Sequence, residues 1–311
     1  METKIRYHDL DWLRVLAFFL LILFHVGMAF NTWGWHVKNE EQSELLTSFM
    51  FFPNQWRIPL LMVVSGAGVW FGLSSRGCYG FMKERAKRLL LPLVVGMVIV
   101  VPPQVYFERL TQGLNASYIE FYPHFFDGIY PEGNFSWHHL WFIAYMLVGL
   151  LVLLPLLALI KRYHQQQKLQ RFFNFAATPI GLILLAAPIV LVDTFMLPIF
   201  PPTDQALIGD WTRLAELTLL LLAGFLICAN QNCWQELKKH RRVFLLAGVL
   251  FFTLRYLAYF DLINISYNGF SWLVYAPIRV LSSWFIILAA LGYARRYLTF
   301  TNRFLNYTNE A

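Results

Sequence analysis

The stretch Asp9–Met28, DLDWLRVLAFFLLILFHVGM, decides the fold. The ten residues from Val15 to Phe24 carry no polar side chain, and they are framed by Arg14 and His25. With its flanks the run approaches the ~20 residues that cross a hydrocarbon core as a helix. At about 100° and 1.5 Å per residue, the steps from Arg14 to His25 return to within about 20° of one helix face, about 16 Å apart along the axis. Arg14 is expected at the cytosolic end of this helix and His25 deep in the bilayer, where an imidazole is costly unless something wet or polar surrounds it. Lys4 and Arg6 would suit the start of a signal peptide. Asp9, Asp11 and Arg14 would not, and no small-x-small cleavage site follows, so a retained helix is expected.

Further apolar runs of spanning length occur at about 57–74, 89–106, 139–160, 177–198, 213–229, 243–262 and 274–294. Of the 311 residues 58% are hydrophobic and 14% charged, and the mean hydropathy is +0.51. Such a chain is too apolar for a soluble domain of this length. Alternation of period two, the mark of a membrane β-barrel, is lacking. The expectation is an all-α, polytopic bundle of about eight membrane-spanning helices, forming one integral-membrane domain over 1–311. An aromatic extracytoplasmic loop over about 107–138 would carry short interfacial helices or a re-entrant segment. Trp33, Trp35, Glu40, Glu41 and Glu44 add a smaller outer cap.

A pI near 9.3 invites a nucleic-acid reading, but the basic residues fall between apolar runs. Of the 25 Lys and Arg, 18 sort to one side: Lys4 and Arg6, the loops 75–88, 161–171 and 238–242, and the tail from Arg295. Lys38, Arg57, Arg109 and Arg213 sort to the other, which places both termini in the cytosol. No nucleic-acid partner is expected; the lipid bilayer is. Cys78, Cys228 and Cys233 have no pairing logic or metal-ligand company and are expected as free thiols.

Several side chains could carry chemistry, each with a structural reading beside the functional one. His25 could hydrogen-bond a neighbouring helix, worth about a kcal/mol, or act as a general base. Arg14 could simply snorkel. Arg85 and Arg88, at i and i+3 before the third helix, share a face. They could mark topology, or hold phosphate oxygens in bidentate forks. Asp193, Arg255 and Arg279 lie inside apolar runs and are functional candidates by that position, or structural partners of one another. His138 and His139, beside Trp141, could bind metal or an acceptor. Neighbours on a helix point about 100° apart, so joint ligation by those two is not expected, and neither is a metal site. Asp127, Glu132 and the loop aromatics could cradle a sugar.

Leu10-Asp11-Trp12-Leu13-Arg14 followed by His25 resembles the Arg-x10-His signature of the membrane acyltransferase 3 family, and Arg85-x-x-Arg88 its Arg-x-x-Arg motif. Ser65-Gly66 and His139-Leu140-Trp141-Phe142 are weaker matches. The stretch from Ser65 to Arg109 is most similar to the glucan biosynthesis branch of that family.

The resemblance implies a membrane O-acyltransferase of a bacterial inner membrane, moving an acyl group from cytosolic acyl-CoA to a hydroxyl of a periplasmic or cell-surface glycan. His25 would be the catalytic base, Arg14 would support the donor path, and Arg85 and Arg88 would bind the phosphates of coenzyme A. His139, Trp141, Asp127, Arg255 and Arg279 would stand on the acceptor side. Acyl-CoA would be a substrate, with no permanently bound cofactor, and the acceptor a carbohydrate. A periplasmic partner or a homo-oligomer would fit the same reading. The family usually has about ten helices and a Tyr-x-x-His motif beyond the point where this sequence stops, so two C-terminal helices are expected to be missing. Two rivals stay open at this point. One is a transporter or flippase in which His25, Asp193, Arg255 and Arg279 form a path; the other is an inactive, truncated remnant that binds a partner.

Overall fold

The computed structural model describes residues 7–310 apart from 204, 264 and 266–268, and leaves out the side chains of 75, 76, 309 and 310. Lys4 and Arg6, and the side chain of Arg76, lie outside the described residues.

Among the described residues eight helices are long and apolar enough to cross a membrane: His8–Met28, Glu44–Ser74, Gly77–Thr111, His138–Tyr163, Pro179–Met196, Trp211–Ala229, Asn232–Tyr259 and Phe270–Tyr297. The chain is a multi-pass membrane protein, and the expected count and class hold. In element terms α1 is His8–Met28 and α2 is Glu44–Ile99, continued by α3, Val101–Thr111. The loop after α3 then carries a short α4, Tyr118–His124, before α5, Trp141–Tyr163, and α6, Gln167–Ala176. The fifth span divides into α7, Pro179–Leu184, and α8, Ala187–Met196. It is followed by α9, Trp211–Ala229, α10, Asn232–Tyr259, α11, Phe270–Tyr297, and a terminal α12, Arg303–Glu310.

Three expected boundaries shift. The stretch 75–88 is not an open loop: α2 is helical on both sides of one break at Gly77, whose φ of 67° and ψ of 171° only glycine adopts freely. The two arms fold back on each other there. Gly72 faces the ring of Phe81, and Gly68 faces a guanidinium nitrogen of Arg85. The basic stretch 238–242 lies wholly within α10, and 161–171 keeps only a short turn between α5 and α6. Charges end an apolar run, but Lys, Arg, Glu and Gln are good helix formers, so the helices continue past the end of the apolar run.

The first arm of α2, α9 and α11 form the centre, with 61%, 61% and 67% of their most apolar stretches buried against 28% for α1. Without a hydrophobic drive inside lipid, such helices associate through close packing of small residues. A Cβ on Gly66 would stand 1.9 Å from the carbonyl oxygen of Leu221, and one on Gly224 would stand 1.9 Å from that of Val63. Met62, Val63, Tyr145, Leu157, Leu221, Phe225, Trp284 and Leu288 fill the core around this contact.

The two chain ends meet at one end of the bundle. Arg295 reaches the carboxylate of Asp9 at 3.2 Å, Trp12 donates its indole N–H to the carbonyl of Phe300 at 3.0 Å, and Leu305 of α12 packs against Trp12 and Val15. At the opposite end Arg109 organises the loop after α3. It donates to Asn134 Oδ1 at 2.8 Å and to the carbonyls of Gly133 and Pro131 at 2.7 and 3.0 Å.

Candidate functional site

His25 lies in the last turn of α1. It therefore stands at one end of the span and not deep within it, because α1 stops three residues later, at Met28. Lys38 folds the following loop back over this end: its ammonium donates to the Met28 carbonyl at 2.8 Å and also to the Asn31 carbonyl. A cation on the last carbonyls of a helix satisfies acceptors that have no partner within the helix. Lys38, counted above as a topology charge, thus caps the helix that presents His25.

The His25 Nδ1 lies 2.7 Å from the carbonyl oxygen of Leu21. A carbonyl can only accept, so Nδ1 carries the proton and Nε2 carries the lone pair. The ring packs edge-on against His139, centroids 4.9 Å apart, and beside Trp35 at 5.7 Å. Trp35 in turn stacks on His139 at 4.9 Å. His139 and its 3-10 turn, His138–Leu140, precede α5. The structure thus joins His25 to one of the expected acceptor-side residues. Behind them an open groove of about 620 Å³ is lined by Trp35, His36, Gln104, Phe107, Thr111 and His139.

Arg14 stands on the same helix towards the other end, 44% exposed, and pairs with Asp11 at 3.4 Å. Arg88 is exposed and pairs with Glu84 at 2.8 Å, whereas Arg85 is half-buried, with its guanidinium over the Phe81 ring at 5.3 Å. The two arginines share a helix but differ in surroundings. Lys161 adds a cation on the core side of Arg162, its Nζ 3.2 Å from the centre of the Trp70 ring.

Arg255, Arg279 and Trp141 line a separate polar cavity of about 290 Å³ inside the bundle. Arg279 grips Asp193 with two nitrogens and Glu216 at 2.7 Å, and Arg255 donates to the Arg279 carbonyl at 3.0 Å. Asp193, fully buried, is therefore a structural partner of Arg279, a pairing the sequence left open. Arg57 and Arg213, sorted to the outer side by charge counting, line the same cavity. Arg57 is buried, with its guanidinium 3.3 Å from the centre of the Phe24 ring, so it connects the cavity to the residue before His25. Asp127 pairs with His124 at 2.7 Å on the exposed loop after α3, apart from these groups. Glu132 is exposed on the same loop and lines a shallow surface depression with Arg109 and His124.

Several residues of these sites escaped the sequence reading altogether, Glu216, His36 and Glu108 among them. His36 and Glu108 lie 3.1 Å apart, with Glu108 93% buried in its side chain, and the His36 and His138 ring centroids are 4.5 Å apart. His36 follows Trp35 in the loop after α1 and Glu108 precedes Arg109 in the last turn of α3. Their separation along the chain offers no spacing rule that would have linked them.

Comparison with known proteins follows this geometry. A family model described as an acyltransferase domain matches residues 7–310. The glucans biosynthesis protein C of Escherichia coli (strain SMS-3-5 / SECEC) is 22% identical over 238 residues, covering 75% of this chain and 60% of that protein. The protein of the same description from Shigella dysenteriae serotype 1 (strain Sd197) is 21% identical over the same length. The chain thus spans about 60% of the length of these curated relatives. No solved structure matches it.

Proposed function

This chain belongs to the acyltransferase family whose model it matches over residues 7–310, and from that premise we propose that it is a membrane O-acyltransferase that moves an acyl group from acyl-CoA to a glycan hydroxyl. The observation that carries the reading is the locked ring of His25: Nδ1 is held by the Leu21 carbonyl, which leaves the lone pair to Nε2, and the ring packs against Trp35 and His139, both of which line the groove.

In this mechanism the acceptor hydroxyl enters from the groove lined by Trp35 and His139. His25 Nε2 takes its proton as the oxygen attacks the thioester carbonyl. The C–O ester bond forms, the C–S bond breaks, and the proton passes to the departing thiolate, giving coenzyme A. A placed general base of this kind contributes about 10²–10⁴-fold. Arg85 holds phosphate oxygens of the donor at the opposite end, with Arg88 and Lys161 adding positive charge. Arg14 borders the donor path along the α1 face, about 16 Å from His25 by helix rise. Arg255 and Arg279 hold the bundle together behind the site, and Arg57 is the cavity arginine that reaches the His25 helix.

The termini face the cytosol of a bacterial inner membrane in this reading, supported by the charge asymmetry and by the meeting of both chain ends at one end of the bundle. The testing experiment is acyl transfer in proteoliposomes, with labelled acyl-CoA supplied on the Arg85 side and a soluble glucan on the His25 side. Ester formation on the glucan, abolished by His25→Ala, is the expected result. Glucan movement without acyl-CoA and without ester would instead mark a transporter.

A further inference from the structure

We propose that His36, Glu108 and His138 form a binding site for one divalent transition-metal ion of the zinc class at the outer end of the bundle. Their ligand atoms all lie within 4.8 Å of one another. Glu108 Oε2 is 3.1 Å from His36 Nδ1 and 3.6 Å from His138 Nε2. Three ligands at about 2.0–2.1 Å from a tetrahedral ion stand about 3.3 Å from each other, so both distances bracket what such an ion requires.

The cluster is largely enclosed, with His36 24% exposed at its edge, and two of its three facing atoms lack hydrogen bonds. The side chains of Glu108 and His138 are 7% and 1% exposed. Neither Glu108 Oε2 nor His138 Nε2 makes a hydrogen bond, although both are shielded from solvent. Buried polar atoms usually find a partner, and an ion position is one cause of an exception; other such atoms occur in this bundle, but these two face each other 3.6 Å apart beside a third ligand. Two imidazoles with a carboxylate are a ligand set suited to zinc.

The surroundings are those of ligands held for use. The Tyr130 hydroxyl donates to the other oxygen of Glu108, Oε1, at 3.0 Å, which leaves Oε2 turned to the histidines. Ser136 Oγ lies 2.8 Å from His138 Nδ1 and accepts the His138 main-chain N–H at 3.0 Å, fixing the ring with Nε2 towards Glu108. Such outer partners orient metal ligands and set their basicity. His138 itself has a φ of 38°, a left-handed conformation that a non-glycine residue keeps only where the surroundings enforce it.

The three ligands come from three segments: the loop after α1, the last turn of α3, and the turn before α5. One ion would therefore tie together the outer elements that frame the groove. Three protein ligands leave a fourth position for water or a hydroxyl. His36 also lines the groove beside Trp35 and His139, so an acceptor hydroxyl could take that position; this last step rests on the acyl-transfer reading, whereas the site itself does not.

The test is metal binding by the full-length protein in detergent, independent of any activity. Protein stripped with chelator is titrated with Zn2+ and, for spectra, with Co2+. About one ion per chain, with the visible bands of four-coordinate cobalt, is expected. His138→Ala and Glu108→Gln should lose stoichiometric binding. Tyr130→Phe keeps the ring and the fold and should weaken zinc about 10- to 100-fold. His124→Ala, on the exposed loop, should bind like the parent. No stoichiometric zinc, or equal affinity in the parent and in Tyr130→Phe and His138→Ala, overturns the site and leaves the cluster as a proton-sharing network.

Discussion

The Nδ1 of His25 sits 2.7 Å from the carbonyl oxygen of Leu21, one turn earlier on the same helix. That one contact sets which nitrogen can act as base. It costs the protein no second residue, because the acceptor is the backbone of α1 itself. His25→Gln removes the base and should lower acyl transfer by about 10²–10⁴-fold while leaving acyl-CoA binding unchanged. Steady-state rates and donor affinity on purified protein measure the two separately; transfer at the parental rate would end the assignment.

Arg85 and Arg88 should differ in effect. Arg88 is exposed and already paired with Glu84 at 2.8 Å, whereas Arg85 is held half-buried against Phe81 and Gly68. A hydrogen bond to a charged group contributes about 1.5–3 kcal/mol, so Arg85→Ala should weaken acyl-CoA binding at least about tenfold, with a smaller loss for Arg88→Ala. Titration of a fluorescent coenzyme A analogue reads both. Unchanged affinity in both variants would return them to a role in topology alone.

Gly66→Ala should be destabilising out of proportion to one methyl group. Its Cβ would meet the Leu221 carbonyl oxygen at 1.9 Å, a backbone atom that cannot rotate away. Overpacking of this kind costs about 1–3 kcal/mol. Gly34→Ala is the matched control, since nothing lies within 4 Å of a Cβ there. Thermal unfolding in detergent should separate the pair, with the Gly66 variant melting lower.

Breaking the Arg279–Asp193 pair should harm more than removing it. Asp193 is fully buried, and a buried charge left without its partner costs about 3–5 kcal/mol. Arg279→Leu alone should sharply lower thermal stability and yield. Arg279→Leu combined with Asp193→Leu should recover part of the loss. Additive losses in the double variant would show that the two do not act as a unit.

Cys78 is exposed near the Gly77 break, while Cys228 and Cys233 are buried. A membrane-impermeant maleimide should therefore label Cys78 in inside-out vesicles and not in intact cells. Labelling from the outer face would reverse the proposed orientation and, with it, the sides assigned to donor and acceptor.

Much of the architecture was open to reading along the chain. Spanning helices are set by local apolarity and length, so eight of them, their order, and the Arg14–His25 face follow from consecutive residues. Boundaries were less legible: basic stretches such as 238–242 end an apolar run without ending the helix, because the same residues favour helix. The charge count also assigned Arg57 and Arg213 to the outside. They lie inside a cavity, where partners from other helices decide the cost of burial.

The sequence by itself determined the class of the protein, its spans and the helix face that carries Arg14 and His25, since each depends on neighbours along the chain. Only the tertiary structure decided that His25 stands at the far end of its helix beside Trp35 and His139, that Arg279 holds Asp193 and Glu216, and that His36, Glu108 and His138 converge. Those groups come from segments far apart in the chain. What brings them together is packing between whole helices and loops, such as the Gly66–Leu221 contact, and no local pattern of residues encodes it.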